Sequence, residues 1–215
     1  MALSTRLLSY MERAGFDRGL LRKTMEDYTV SNEEDGAKAR HVIGQYVKDA
    51  VNMVSSGTGI LLAGRTGVGK TMLLTILAYR LLEMQLVKPL LVDCNDLIMS
   101  TNAMWVREAA EGTRHTFDHI LRAELLLIDN VPFKLNQSRD VFPIIEKILR
   151  HRNSRDLPTF ITYGKLLSDL KREADERTLS LINEKLLVVG LKSLKDRRSE
   201  NQREIHRKFK IGEME

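Results

Sequence analysis

At 215 residues, with 34 Lys and Arg against 29 Asp and Glu, the chain has a formal net charge of +5 and 43% hydrophobic residues. That size suits one ordinary domain with a sizeable core, and the modest basic excess favours anionic partners such as nucleotide or nucleic acid over neutral ones. No apolar run approaches the ~18 residues of a membrane span, Arg6, Glu12 and Arg13 interrupt the opening stretch that would otherwise resemble a signal peptide, and the single cysteine, Cys94, excludes an internal disulfide framework and suits a cytoplasmic protein.

In chain order, residues 1–20 read as a short N-terminal helical segment with Leu7, Leu8 and Met11 on one face, and 21–36 as a polar, turn-rich linker. Helical spacing of Val42, Ile43, Tyr46, Val47, Ala50 and Val54 predicts a helix over Ala37–Ser55. GILLAG (59–64) is a short apolar strand entering a glycine loop, and Lys70–Gln85 a buried helix. PLLVDC (89–94) is the next strand, followed by a mostly helical stretch from Asp96 to Arg122 that breaks near Gly112. ELLLID ends a third strand on Asp129. Asp140 is expected to cap a helix reaching about His151, with Pro143 in its first turn, where the missing N–H costs little. PTFITY (158–163) is a fourth strand, Leu166–Glu184 helical, and LLVVG (186–190) a fifth. Short strands alternating with helices predict a parallel α/β sheet. The tail from Leu191 is rich in Lys and Arg, with a helical stretch expected near 199–209.

The chemistry starts at GRTGVGKT (64–71), which fits G-x-x-x-x-G-K-[ST] between a strand and a helix. In such a loop the glycines let backbone N–H groups curl around phosphate oxygens, and the helix that follows points its positive end at them. Gly64, Arg65, Thr66, Gly67, Val68, Gly69, Lys70, Thr71 and Met72 are therefore candidate ATP-binding residues, with Lys70 reaching the β- and γ-phosphates and Thr71 ligating Mg²⁺. Asp129, at the end of another apolar strand, stands where a carboxylate helps hold that ion. A GTPase should carry an N-K-x-D base reader, and none is present. A small-molecule kinase would want a mobile, arginine-bearing lid, and KREADER (171–177) is a weak match. His115 and His119 could share a helix face, but no third metal ligand accompanies them and they read as structural.

The segments GILLAGRTGVGKTMLL, PLLVDCNDLI, ELLLIDN, ILRHRNSRDLPTFITYG and ERTLSLINEKLLVVGLKSLKDRR occur in the order and near the spacing of the DnaC-like helicase loaders. The chain thus resembles that branch of the AAA+ ATPases and its IstB-like relatives over about residues 21–200. The resemblance implies an AAA+ phosphate-loop domain spanning 37–200, with a five-stranded parallel sheet in the order 5-1-4-3-2 and little or no helical lid; by its composition, 201–215 is a basic C-terminal tail. It implies ATP and Mg²⁺ as cofactors, self-oligomerisation with ATP, a replicative helicase as partner, and single-stranded DNA contacts. Position by position, it places Lys70, Thr71 and Asp129 in the phosphate and magnesium site, and Arg198 as a phosphate sensor. It sets Arg177 or Arg152 as the arginine that reaches across to complete the site from a neighbouring subunit. The stretch 100–120 matches the family's DNA path, with Trp105 available to stack on a base and Arg107 or Arg114 to pair with phosphates. An IstB-like transposition helper and a stand-alone kinase are the alternative readings.

Three departures from the family bear on turnover. Asn130 stands where a second acidic residue usually follows the magnesium carboxylate, Tyr163-Gly164 replaces the polar sensor ending the fourth strand, and Leu181 replaces the second interface arginine. An amide can orient water but cannot take its proton. Slow hydrolysis is therefore expected, and Asn130→Glu is expected to raise it unless Asp93 or Asp96, at the end of strand two, already orients the water. The N-terminus departs too, since the short segment before the linker is either a minimal hook for a helicase or a packed helix.

Overall fold

GILLAG forms β1, Gly59–Gly64, with every residue buried, and a strand buried on both faces belongs in the middle of a parallel sheet. The computed structural model describes residues 4–28, 33–105, 117–131 and 141–192. Four further strands join β1: β2 (Pro89–Asp93), β3 (Leu125–Val131), β4 (Thr159–Tyr163) and β5 (Leu186–Leu191). All pair in parallel, in the order β2-β3-β4-β1-β5, which is the expected order read from the opposite edge.

Alternation along the strands splits the core into two layers. Ile60, Leu62, Leu125, Leu127, Phe160 and Val189 face one apolar cluster. It is shared with α1 (Thr5–Arg13), α2 (Arg18–Leu21), α3 (Glu33–Lys48) and α5 (Lys70–Glu83). Leu61, Ala63, Leu126, Ile128 and Ile161 face the other, built with α6 (Cys94–Trp105), α7 (Phe117–Arg122), α8 (Phe142–Asn153), α9 (Leu167–Glu173) and α10 (Glu176–Lys185). No helix among the described residues is long and apolar enough to cross a membrane.

Several expected elements end differently. The helix expected over Ala37–Ser55 begins at Glu33, and Asp49 separates α3 from α4 (Ala50–Ser55). The helical stretch expected over Leu166–Glu184 divides at Ala174-Asp175, because the Asp175 carboxylate accepts from Thr178 N at 2.7 Å and starts a new helix, α10. In α8 the N-cap is Val141, with Pro in the first turn as expected. Asp140 lies outside the described residues, as does the tail beyond Lys192, with its expected helix.

The N-terminal stretch is woven into the core. Met11, Phe16, Leu21 and Tyr28 are buried in the same cluster as α5. Leu91 N donates to Ala14 O at 2.8 Å, so the outer edge of β2 is covered rather than left as an open template. The polar stretch expected as a linker, 21–36, thus supplies Leu21 and Tyr28 to the interior.

Candidate active site

The loop from β1 into α5 turns on two glycines in the left-handed region, Gly67 (φ 84°) and Gly69 (φ 87°), the latter at the N-cap of α5. Such a run of backbone N–H groups at a helix start is an anion cradle. Lys70 is nearly buried, and its ammonium donates to Gly64 O at 2.7 Å and Arg65 O at 2.9 Å, which folds the side chain along the inside of the loop. Arg65 and Thr66 are exposed at the loop's crest, and Val68 and Met72 anchor it in the core.

Tyr28 holds the loop from behind. Its hydroxyl donates to Val68 O at 3.2 Å, and a Cβ on Gly69 would meet its ring at 2.7 Å. Sequence reasoning passed over Tyr28 because a lone aromatic in a polar stretch carries no periodic signal.

Thr71 follows Lys70 on the first turn of α5, and its hydroxyl donates to Asp129 Oδ1 at 2.9 Å and Oδ2 at 3.1 Å. A hydroxyl and a carboxylate in contact, both hard oxygen donors, are a ligand pair that fits a magnesium ion. Thr162 Oγ1, from β4, donates to Asp129 Oδ1 at 2.5 Å and accepts from Asn130 N at 2.9 Å. Thr162 is a site residue that sequence reasoning missed: the polar group expected at the strand's end sits one residue earlier, as a hydroxyl inside PTFITY. Tyr163 turns away. It is buried, its hydroxyl donates to Glu173 Oε2, and burial and that carboxylate push its phenol pKa up.

Asn130 has φ 56°, and the β3–β4 register shifts between Ile128 and Val131. A bulge of this kind re-aims side chains at a strand end. It leaves Asp129 buried and Asn130 exposed. The Asn130 amide donates to Asp93 Oδ2 at 2.9 Å, and Asp93 is the in-register partner of Asp129 across β2 and β3. Asp96 is exposed on α6. The neighbouring Cys94 is buried, and burial, with help from Asp93, pushes its thiol up to about 12, so it stays protonated and takes no nucleophilic part.

The arginines part company. Arg152 is fully buried at the opposite end of the sheet, where β3 and β4 begin. It donates from Nε to Thr159 Oγ1 (2.9 Å), from Nη1 to Leu121 O (3.0 Å) and Ala123 O (2.7 Å), and from Nη2 to Pro158 O (2.8 Å). Burial lowers its pKa to about 9, which leaves it protonated at neutral pH. The expectation that Arg152 reaches a neighbour's nucleotide is corrected: its donors are spent on its own chain, far from the phosphate loop. Arg177 is exposed on the first turn of α10, free of the core, while Leu181 packs partly buried on the same helix. Arg107, Arg114, His115 and Arg198, and the side chain of Trp105, lie outside the described residues.

The family model for the ATPase family associated with various cellular activities (AAA) matches residues 60–186. No curated protein matches. Among solved structures, a primosome component from Streptococcus pyogenes serotype M3, described as putative, aligns at 21% identity over 89% of this chain and 98% of its own, with a TM-score of 0.65. DnaI aligns at 22% identity over 86% of this chain and 95% of its own, TM-score 0.64. The DnaC helicase loader aligns at 20% identity over 82% of this chain and 99% of its own, TM-score 0.66. At such identities these likenesses speak for the fold. The family match runs from the second residue of β1 to the first of β5 and takes in the glycine loop, Lys70, Thr71 and Asp129, so this chain belongs to the AAA ATPases, the nucleotide-binding family associated with various cellular activities.

Proposed function

We propose that this chain is an ATP-switched accessory factor of DNA replication that acts on a replicative helicase. The observation that carries the reading is that a helicase loader of known fold overlays it over 99% of the loader's own chain. The reading keeps 37–200 as the ATPase domain, with 201–215 as a basic arm.

In this reading the backbone of 64–69 and Lys70 bind the phosphates of ATP, and Met72 supports the loop from the core. Thr71 and Asp129 would hold Mg²⁺, which would supply positive charge to offset the charge that develops on the phosphates. Thr162 keeps Asp129 aimed at that position. Arg177 reaches a neighbouring subunit's nucleotide, Arg198 senses the terminal phosphate, and Trp105, Arg107 and Arg114 contact single-stranded DNA. Hydrolysis is slow, because Asn130 offers water an amide where a base would take its proton.

The test is to mix the protein with hexameric replicative helicase from the same cell and follow complex formation by size-exclusion chromatography with light scattering. The expected result is a complex with ATP and Mg²⁺ that weakens with ADP. Failure to bind helicase in any nucleotide state, with a transposase recovered from cells instead, would contradict the reading.

A further inference from the structure

The contact between Asp93 and Asn130 joins two strand tips beside the phosphate loop. Asp93 Oδ2 accepts from Asn130 Nδ2 at 2.9 Å, while Asp93 Oδ1 accepts from Asn95 N at 2.8 Å and Asn95 Nδ2 at 3.0 Å. An ionised carboxylate is an acceptor only. It therefore decides which way the Asn130 amide faces: the NH₂ group toward Asp93, the Oδ1 atom away from it. The backbone is pinned as well, since Asn130 N donates to the Thr162 hydroxyl that also contacts Asp129. Asparagine tolerates the left-handed φ of 56° at this position better than longer side chains do.

We infer that Asp93 and Asn130 form one unit in ATP hydrolysis, in which Asn130 Oδ1 accepts a hydrogen bond from the attacking water and Asp93 positions the amide that does so. The inference rests on the nucleotide reading given above. In the step it serves, the water oxygen forms a bond to the γ-phosphorus. The bond from that phosphorus to the bridging oxygen breaks, and its electron pair stays on ADP. The proton lost by the water passes to an oxygen of the departing phosphate, because an amide oxygen does not take it.

The unit makes a swap experiment decisive. Asp93→Asn keeps an acceptor for Asn95 N but turns an NH₂ group toward Asn130, so the Asn130 amide must rotate and present its own NH₂ to the water. The kcat for ATP should fall about tenfold, the effect of losing one orienting hydrogen bond, with Kd for ATP within about twofold of wild type. Adding Asn130→Asp restores a donor-acceptor match across the strand tips and places a carboxylate oxygen at the water, so the double variant should regain at least the wild-type kcat. An Asp93 that only anchors the start of α6 would lower thermal stability, leave kcat alone and gain nothing from Asn130→Asp. If Asp93→Asn does not fold, Asn130→Gly, which accepts the same φ, should show the same loss of kcat at unchanged Kd. The inference is overturned by an unchanged kcat in either single variant, by a double variant that stays at the single-variant rate, or by a wild type that binds ATP without turning it over, single-stranded DNA included. Absence of ATP binding by the wild type would instead overturn the nucleotide reading, and this inference with it.

Discussion

Among the described residues, the buried Arg152 guanidinium donates to a hydroxyl and to carbonyl oxygens rather than to a carboxylate. Its charge is met by carbonyl oxygens at the end of α7 and the start of β4, the end of a helix where a cation is favoured. Removing the side chain strands those carbonyls in a dry interior, and each orphaned group costs ~1–3 kcal/mol. Arg152→Ala should therefore lower the free energy of unfolding by about 3–5 kcal/mol in urea titrations. A stable Arg152→Ala protein that had lost only ATP-dependent assembly would restore the intersubunit role. At Asn130 the same scale of argument changes the obvious remedy for slow turnover. Glutamate tolerates φ 56° less readily than asparagine or aspartate and would bring a second carboxylate against Asp93, so Asn130→Glu alone should raise turnover less than Asn130→Asp combined with Asp93→Asn.

The phosphate loop depends on an element that precedes it in the chain. Tyr28 packs behind Gly69 and bonds Val68 O, and the segment carrying it is anchored through Met11, Phe16 and Leu21. Tyr28→Ala should leave the sheet intact and weaken ATP binding roughly tenfold, as the loop loses its backing hydrogen bond and ring contact. Gly69→Ala should do at least as much, since the new Cβ meets the ring at 2.7 Å and φ is 87°. Fluorescent-nucleotide titrations of both variants check this, and wild-type affinity in both would show the loop to be self-supporting. The elements themselves were unequally legible. Strands β1 and β3 announce themselves because burial on both faces forces an unbroken apolar run. The breaks at Asp49 and Asp175 were hidden because helical periodicity continues across them. Lys70 and Thr71 could be read from the sequence because they share one contiguous motif, and Asp129 because it ends an apolar strand. Thr162 and the Asp93–Asn130 pairing could not, because they meet only through cross-strand register and a bulge. The stretch expected as a linker, 21–36, misled for a related reason: a few apolar side chains among many polar ones, Leu21 and Tyr28, suffice to dock it.

For the whole molecule, the proposed reading gives the exposed Arg177 at the start of α10 to the nucleotide of a second copy. ATP with Mg²⁺ should then promote oligomers that ADP does not, and Arg177→Ala should abolish them without weakening ATP binding to the monomer more than about twofold, since an exposed side chain contributes little to its own fold. Light scattering with each nucleotide checks this, and a chain that stays monomeric with ATP, Mg²⁺ and single-stranded DNA would contradict it. Everything proposed at this scale depends on the loop that joins β1 to α5. Isothermal calorimetry of ATP with Mg²⁺ against wild type and Lys70→Ala tests that dependence most directly. The account predicts saturable binding to wild type and loss of that binding in a Lys70→Ala protein that still folds and unfolds cooperatively. Equal ATP affinity in the two folded proteins would contradict it.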